Sequence, residues 1–234
     1  MIKRAVFLYD YTGIMAKPWL DAGYECWCFD GQHPDGITVD GGHVKIGMWF
    51  DADKTHEQAA LIASLVGDAS FVFGFPECTD LAVSGAAHFA RKREADPHFQ
   101  EKATRLAKMV ETVANILSCP WGVENPVSVL STTWRKPDHR FDPYEYGGYL
   151  PESDEHPVYP QYIKPRDAYP KKTCIWSGNG FVMPPKIPVE VEKGYSTQHS
   201  KLGGKSLKTK NIRSATPRGF ANAVFLANSG HLPC

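Results

Sequence analysis

Hydrophobic and polar residues follow two different spacings along the first half of the chain. Short runs rich in β-branched and aromatic residues predict strands, and longer segments with apolar residues at helical spacing predict helices. The predicted strands are residues 4–10, 24–30, 43–51, 69–76 and 121–126; the predicted helices are residues 54–66 and 99–117, with a shorter one between the Thr12-Gly13 turn and Asp21. Strands and helices that alternate with short connections predict an α/β fold in which helices cover a parallel sheet.

The pattern changes after about residue 140, where prolines and tyrosines crowd residues 143–170. Beyond that point, only residues 172–178, as a strand, and residues 217–228, as a helix, have a regular spacing. A chain of 234 residues can bury one substantial core. A single α/β domain with an insertion fits this length as well as two small domains do.

The chain has no formal net charge, but its basic and acidic residues are segregated. Residues 1–150 carry 14 Lys and Arg against 20 Asp and Glu, whereas residues 161–218 carry 12 against 3. Such a basic segment predicts an anionic partner, with phosphate groups as the first candidate, and Lys205, Lys208 and Lys210 as its contacts. The alternative is a solvated, flexible lysine-rich loop that has no partner.

The apolar segments and the cysteines indicate where the protein works. No apolar stretch approaches the roughly 20 residues of a membrane-spanning helix, and the N-terminal apolar run is too short for a secretory signal. We therefore expect a soluble, cytoplasmic protein with no membrane partner. Six irregularly spaced cysteines fit reduced thiols better than a disulfide framework. Cys26 and Cys28 share one face of a predicted strand, which favours the core over a metal site.

Polar side chains follow each of the predicted strands. The carboxyl ends of parallel strands meet at one edge of a sheet, so these residues are expected to converge there. They are Asp10, Tyr11, Thr12 and Gly13 after the first strand, Asp30 after the second, Asp51 after the third, Phe75, Pro76, Glu77 and Cys78 around the end of the fourth, and Glu124 and Asn125 in the fifth. A glycine turn lets a ligand approach the backbone, and an acid that ends the second strand suits ribose hydroxyls. The edge therefore predicts a site for an adenosine-containing ligand.

Two motifs at this edge resemble those of the cytosine-C5 DNA methyltransferase family. Residues 75–79, Phe-Pro-Glu-Cys-Thr, with Ser84 and Gly85 beyond them, are similar to the family's catalytic loop, and "VENPV" at residues 123–127 is similar to its Glu-Asn-Val motif. Residues 9–30 resemble the cofactor-binding segment, and "RSATPRGFANAV" resembles the late helix of the family. The resemblance covers residues 1–140 and 211–228, and it is closest to small, phage-like members.

The resemblance implies a Rossmann-like, S-adenosylmethionine-dependent methyltransferase fold with a small C-terminal insertion. On that basis we predict a cofactor-binding and catalytic core at residues 1–146, a basic recognition-like insertion at residues 147–212, and a C-terminal helix returning to the core at residues 213–234. The implied reaction is methylation of cytosine at C5, with DNA as the partner and S-adenosylmethionine as the cofactor.

The resemblance also implies a role for each site residue. Cytosine C5 is a poor nucleophile, so a thiolate must first add at C6 while an acid hydrogen-bonds N3. Cys78 and Glu124 are the groups for these two steps, Asn125 orients the loop, and Arg140 is the candidate contact to the base O2. The implied cofactor-binding residues are Asp10, Tyr11, Thr12, Gly13, Asp30, Asp51, Phe75, Pro76 and Ser214.

The chain departs from the family pattern in two places. Glu77 separates Pro76 from Cys78, where the family has proline directly before the cysteine, and a nearby carboxylate hinders thiolate formation. The insertion is also short for an element that reads base pairs in the major groove. Two alternatives therefore stay open: a methyltransferase of a free cytosine nucleotide or of RNA, and a non-catalytic nucleic-acid or nucleotide-binding protein that retains the fold.

Overall fold

A seven-stranded sheet forms the centre of the part of the chain that the structure, a computed structural model, describes: residues 2–191, 202 and 206–230. The strands are β1 (Arg4–Leu8), β2 (Glu25–Asp40), β3 (His43–Gly47), β4 (Phe71–Gly74), β5 (Trp121–Pro126), β6 (His139–Phe141) and β7 (Thr173–Gly178). Their order across the sheet is β3-β2-β1-β4-β5-β7-β6. β1 pairs in parallel with β2 and β4, β4 pairs in parallel with β5, and β7 is antiparallel to β5. The predicted α/β class with a mostly parallel sheet is confirmed.

Helices connect most of the parallel strands. They are α1 (Lys17–Asp21), α2 (Thr55–Val66), α3 (Phe89–Ala95), α4 (Phe99–Leu117), α5 (Leu130–Thr133), α6 (Leu207–Ser214) and α7 (Arg218–Asn228). The prediction for α4 is confirmed at both ends, and α2 and α7 each begin one residue later than predicted. None of the helices in the described ranges is long and apolar enough to cross a membrane.

The second strand is longer than predicted, because it continues past Asp30 and flanks β3 on both sides. Residues Cys26–Asp30 pair with His43–Gly47 in rising order, which is a parallel ladder, whereas Ile37–Asp40 pair with the same strand in falling order, which is antiparallel. The connection between the two halves passes over Gly47, where a side chain would clash with the main-chain oxygen of Pro34. Residues 34–40 are exposed, although Ile37 and Val39 alternate along this outer half.

The larger apolar cluster lies against one face of the sheet. α4 contributes a buried stripe at helical spacing, and α2 lies beside it with Ile62 and Val66 buried. From the strands, alternate residues face this cluster, as the period of two along a strand requires. The buried members from β1, β4, β5 and α4 are Val6, Leu8, Val72, Trp121, Val123, Ala103, Ala107, Met109, Val110, Val113 and Ala114. On the opposite face Trp19 stacks on Phe71, with the ring centroids 4.6 Å apart.

The chain divides into two compact units. Unit 1 comprises residues up to Tyr11, Trp19–Arg140 and Thr173–Phe181, and it contains most of the sheet with α2, α3 and α4. Unit 2 comprises Thr12–Pro18, Phe141–Lys172 and the residues from Val182 onward, including α6 and α7.

The core of unit 2 is built from aromatic rings. Phe141 stacks on Phe220 with the centroids 4.0 Å apart, and Tyr146 meets Phe220 edge-on at 5.1 Å. A buried ion pair lies at the start of α7, where Arg218 Nη2 is 2.6 Å from Asp154 Oδ2. Aromatic packing and this ion pair order a segment that lacks regular strands.

Candidate functional site

The carboxyl ends of β1, β2, β4 and β5 lie along one edge of the sheet in unit 1, as their parallel pairing requires. The edge therefore collects the residues that follow these strands. Asp10 comes two residues after β1 and is buried, Asp30 is partly buried, and Pro76 follows β4 and is buried. The predicted convergence of these residues on one edge is what the strand order produces.

The predicted nucleophile, Cys78, lies at the start of a tight turn after β4. The main-chain oxygen of Cys78 accepts hydrogen bonds from the amides of Leu81 and Ala82, at 3.0 and 2.8 Å. Phe75 extends the sheet by one more bond, since its amide donates to Leu8 O at 3.0 Å. The thiol is partly exposed, which is what a reacting cysteine requires.

Hydrogen bonds from Asn125 of β5 and from the segment after β5 hold this loop in place. Asn125 is 1 % exposed, and its Nδ2 donates to the main-chain oxygen of Pro76 over 3.0 Å. Beyond the thiol, Val129 N donates to Leu81 O at 2.9 Å, and Val83 N donates to Val127 O at 3.1 Å. The loop is therefore held to the end of β5 on both sides of Cys78.

Glu124 lies within β5, one residue before this tie. It is partly exposed and lies opposite Ile175 of the antiparallel neighbour β7. Its Oε1 atom is inaccessible to solvent. Glu124 therefore has one oxygen covered by the protein and lies in the strand that holds the Cys78 loop.

Glu77, the residue that departs from the family pattern, is exposed and is bound by its neighbour. Its Oε1 accepts a hydrogen bond from Thr79 Oγ1 at 2.6 Å. This bond gives one oxygen of the Glu77 carboxylate a partner within the loop that bears Cys78. Lys92 of α3 fixes the next part of the loop, because its Nζ donates to Thr79 O at 2.8 Å and to Asp80 Oδ1 at 2.5 Å.

Asp30 is the acid predicted to bind ribose. Its Oδ1 accepts the amide of Gln32 at 2.8 Å, and the side chain of Gln32 also donates to the carboxylate. Burial raises the pKa of Asp30 above its usual value, although the hydrogen bonds with Gln32 and the nearby His33 oppose that shift. The carboxylate is thus partly desolvated and ready to exchange water for a polar ligand.

His33 is a buried residue of the same edge that the sequence analysis did not single out. It is 7 % exposed, and its ring hydrogen-bonds the main chain of Asp10. The ring centroid of Tyr11 lies 5.5 Å away, and Tyr11 is itself 43 % exposed. His33 thereby joins the loops that follow β1 and the first half of β2, and only the fold reveals that contact.

Trp49 is a second residue that sequence reasoning missed. It is 76 % exposed, and its ring lies against Gly31, where any side chain would clash with it. An exposed indole beside Asp30 offers a flat surface for a planar ligand. Nothing in the linear pattern separates Trp49 from an ordinary apolar residue of the predicted strand 43–51.

Asp51, predicted to face the adenine, has a structural task before α2. Its Oδ1 accepts the amide of Asp53 at 2.9 Å, and its main-chain oxygen accepts the amide of Lys54 at 3.0 Å. The amide of Asp51 in turn donates to Gln58 Oε1 at 2.9 Å. These bonds orient the exposed carboxylate toward the start of the helix, so a role for Asp51 in ligand binding stays a prediction.

Thr12, Gly13 and Ser214 belong to unit 2. Gly13 has a φ of 67°, and its oxygen accepts the amide of Lys17 at 3.0 Å, so the glycine turn starts α1. Ile14 packs in one apolar cluster with Ala215. Within unit 2, the residue after Gly13 and the residue after Ser214 are therefore in the same cluster, which fits the predicted proximity of the two segments.

The remaining predicted contacts lie farther from the nucleophile loop or outside the described part. Arg140 is exposed on β6, at the edge of the sheet, and β7 separates this strand from β5. No strand-end position links Arg140 to Cys78, so its contact to the base stays a prediction. Lys208 and Lys210 are exposed on α6, and Lys205 lies outside the described residues.

Comparison with known proteins adds no family assignment. No family model matches the chain, and a search of curated proteins finds no significant match. The chemistry of the site must therefore be argued from its own residues.

Proposed function

We propose that this chain is a Rossmann-like, S-adenosylmethionine-dependent methyltransferase that methylates cytosine at C5 in DNA. The observation that carries the proposal is the tie between the Cys78 loop and the end of β5, made by the buried bond from Asn125 Nδ2 to Pro76 O. It keeps a partly exposed thiol beside the strand that bears Glu124. These are the nucleophile and the acid that the reaction needs.

The reaction begins at cytosine C6. Cys78, as the thiolate, forms a bond to C6 while the electrons of the C5–C6 double bond move into the ring and Glu124 provides a proton to N3. The resulting enamine is nucleophilic at C5. A bound S-adenosylmethionine would supply the methyl group to C5 with cleavage of its S–CH3 bond and loss of the demethylated product, and the proton on N3 returns to Glu124. Loss of the C5 proton to solvent then restores the C5–C6 double bond and releases Cys78 as a thiolate.

The charge of the sheet edge supports a cationic cofactor. Asp10 follows β1, where a phosphate-binding fold would need glycines and amide groups. A carboxylate at that position repels phosphate but suits the sulfonium and ammonium groups of S-adenosylmethionine, and Asp30, which ends the parallel half of β2, suits the ribose hydroxyls. The exposed Trp49 ring on Gly31 fits a planar adenine. The donor set therefore fits this cofactor better than it fits a dinucleotide.

The choice of DNA rests on the basic segment. Lys208 and Lys210 are exposed on α6, and the segment around them is strongly basic. A duplex offers regularly spaced phosphates to such a surface. A base within a duplex must leave the stack to meet a thiol, so the partly exposed position of Cys78 fits an extruded base.

Transfer of a labelled methyl group tests the proposal. The protein is incubated with methyl-labelled S-adenosylmethionine and, in separate reactions, duplex DNA, RNA, and free cytosine nucleotides. We expect label on DNA cytosine, and a covalent adduct with DNA that contains 5-fluorocytosine, because fluorine at C5 blocks the final proton loss. Cys78→Ser should abolish both while cofactor binding persists, and Glu124→Gln should slow adduct formation. Glu101→Gln, on the exposed side of α4, is the matched control.

Each other outcome changes the proposal in a defined way. Label on RNA or on nucleotides alone would replace DNA as the substrate. Cofactor binding with no label on any acceptor would identify a non-catalytic binder, in which Glu77 prevents thiolate formation. Failure to bind S-adenosylmethionine and its demethylated product would exclude the methyltransferase altogether.

A further inference from the structure

We propose that His33 is a ligand-binding residue of this edge, and that its Nε2 atom accepts a hydrogen bond from one hydroxyl of the ribose of an adenosyl ligand. The inference deepens the proposed function and rests on it. His33 carries no assigned role in the chemistry described above, and its position and its hydrogen bonding point to one.

The hydrogen bonding of the ring fixes which nitrogen is available. A hydrogen-bond contribution from the main chain of Asp10 raises the pKa of the His33 ring, as a carbonyl acceptor does. Among the described residues, Nε2 has no hydrogen-bond partner although it is buried, so we assign the ring proton to Nδ1. In a neutral ring with its proton on Nδ1, Nε2 is an acceptor. Burial lowers the pKa of His33 below its usual value, which keeps the ring neutral near pH 7.

A buried acceptor with no partner is costly to keep. Leaving such a group desolvated costs roughly 1–3 kcal/mol, and most buried polar atoms in proteins are paired for that reason. Only 7 % of His33 is exposed to solvent. A ligand that supplies the missing donor would recover this cost, so the position favours binding of a group with an O–H or N–H.

The neighbours of His33 identify the donor as a hydroxyl of a vicinal diol. Asp30 lies three residues before it, and its charge acts on the imidazole. The Asp30 carboxylate accepts hydrogen bonds from both the amide and the side chain of Gln32. Because its two oxygens together can accept about four hydrogen bonds, it keeps capacity for a first hydroxyl. The second hydroxyl of a ribose needs another acceptor close by, and Nε2 of His33 provides one.

Tyr11 is the aromatic neighbour of this acceptor. Its ring lies 5.5 Å from the imidazole, at an interplanar angle of 36°. Tyr11 is 43 % exposed and directly follows Asp10 in the loop after β1. The imidazole is therefore close to an exposed side chain of the same sheet edge.

Calorimetry with modified ligands tests the assignment. S-adenosylhomocysteine and its 2′-deoxy and 3′-deoxy analogues are titrated into the wild-type protein, His33→Phe, His33→Gln and the control His56→Phe, an exposed histidine of α2. In the wild type, removal of either hydroxyl should weaken binding by about tenfold. His33→Phe should bind the parent compound about tenfold more weakly and should no longer sense one of the two hydroxyls, while it still senses the other through Asp30.

The two remaining variants separate binding from folding. His33→Gln retains an acceptor and should recover most of the affinity, and His56→Phe should behave as wild type. The ¹⁵N resonance of Nε2 in histidine-labelled wild-type protein provides a second measurement that needs no variant. It should shift with S-adenosylhomocysteine and stay unchanged with the deoxy analogue that His33→Phe fails to distinguish.

The experiment also distinguishes the possible failures. If the wild type binds the parent compound and His33→Phe binds it equally well, or senses both hydroxyls as before, the assignment of His33 is overturned while the methyltransferase proposal stands. If the wild type binds no adenosyl compound, both fall. Ribose could also come from RNA, so cytidine 5′-monophosphate is included. Loss of cytidine binding in His33→Phe, with adenosyl binding unchanged, would overturn the assignment to the cofactor.

Discussion

The side chain of Asn125 donates a hydrogen bond from Nδ2 to the main-chain oxygen of Pro76 over 3.0 Å, within a buried part of unit 1. The two residues are 49 positions apart in sequence, yet the bond joins the ends of the neighbouring strands β4 and β5. The partner also fixes the orientation of the amide, because the carbonyl oxygen of Asn125 could not face Pro76 O. This hydrogen bond therefore holds the residues just before Cys78 to the strand that bears Glu124.

Removal of this bond should impair methyl transfer more than cofactor binding. Asn125→Ala leaves Pro76 O without its donor, and an unpaired buried carbonyl costs about 2 kcal/mol. We expect the free energy of unfolding to fall by about that amount and the methyl-transfer rate to fall by at least tenfold, because Cys78 is no longer held in place. Chemical denaturation and the labelled-methyl assay measure the two effects.

A matched amide elsewhere in unit 1 provides the control. Asn115 Oδ1 accepts Asn179 Nδ2 at 2.9 Å in an exposed setting far along the sequence from the loop. Asn115→Ala should reduce stability only slightly and leave methyl transfer unchanged. Equal loss of activity in both variants would mean that Asn125 acts through general stability and not through the loop.

Trp49 should contact the bound adenosyl group. Its ring is 76 % exposed beside Gly31, and stacking on an aromatic ring contributes about 0.5–1.5 kcal/mol. Trp49→Leu should therefore weaken S-adenosylhomocysteine binding by about three- to tenfold. Binding should quench the tryptophan fluorescence of the wild type, and the quenching should be largely lost in Trp49→Leu. Quenching of the same size in both proteins would assign it to another of the tryptophans.

The basic segment should make DNA binding sensitive to salt. If Lys208 and Lys210 each contact a phosphate, their joint replacement with Gln should reduce the slope of log affinity against log salt concentration by about 2. The replacement of Lys54 and Lys136, two exposed lysines of unit 1, serves as the matched control and should leave the slope unchanged. Fluorescence anisotropy of labelled duplex at several salt concentrations measures it, and an identical slope in both double variants would move the DNA contact elsewhere.

Unit 2 should be more stable with a neutral side chain at position 167. Asp167 is 1 % exposed, and burial raises its pKa to about 6 although Gly219 N donates to its Oδ2 at 2.9 Å. A folded pKa above the unfolded value of 3.8 means that the stabilising contribution is complete below pH 3.8 and is lost as the pH rises through 6. Asp167→Asn should therefore be about 2–3 kcal/mol more stable than the wild type at pH 8, and this advantage should shrink toward pH 4.

His156 should show the opposite dependence on pH and so checks the sign. It is 2 % exposed, its Nδ1 accepts the amide of Tyr159 at 2.9 Å, and burial lowers its pKa from 6.5 to about 4. Its contribution is present above pH 6.5 and is lost as the pH falls through 4. His156→Asn keeps a short acceptor but does not titrate. The stability loss of about 2 kcal/mol that the histidine causes between pH 7 and pH 5 should therefore be absent in this variant. Thermal unfolding of the wild type and of both variants at pH 8, 6.5 and 5 measures how much the stability of each variant differs from that of the wild type. This difference should change with pH in opposite directions for the two variants.

Some elements follow directly from the linear pattern. The 19 residues of α4 have apolar positions at helical spacing, and both ends match the prediction. Cys26 and Cys28 are both buried, as strand alternation predicts, and Cys28 Sγ lies 3.3 Å from His43 Nε2. Short strands with apolar runs determine the parallel sheet, and the order of those strands determines which residues share its edge. Local spacing suffices in these cases because each element buries its own apolar face.

The tertiary structure alone decided the contacts that join distant segments. The outer half of β2 buries neither of its faces, so its return along β3 depends on pairing with a strand that comes later in the chain. Asn125 meets Pro76, His33 meets Asp10, and Trp49 lies on Gly31 only because the sheet brings their strand ends together. The sequence by itself determined the types of residue at the edge of the sheet. Their pairing depends on hydrogen bonds and steric contacts across strands, and no linear period encodes those.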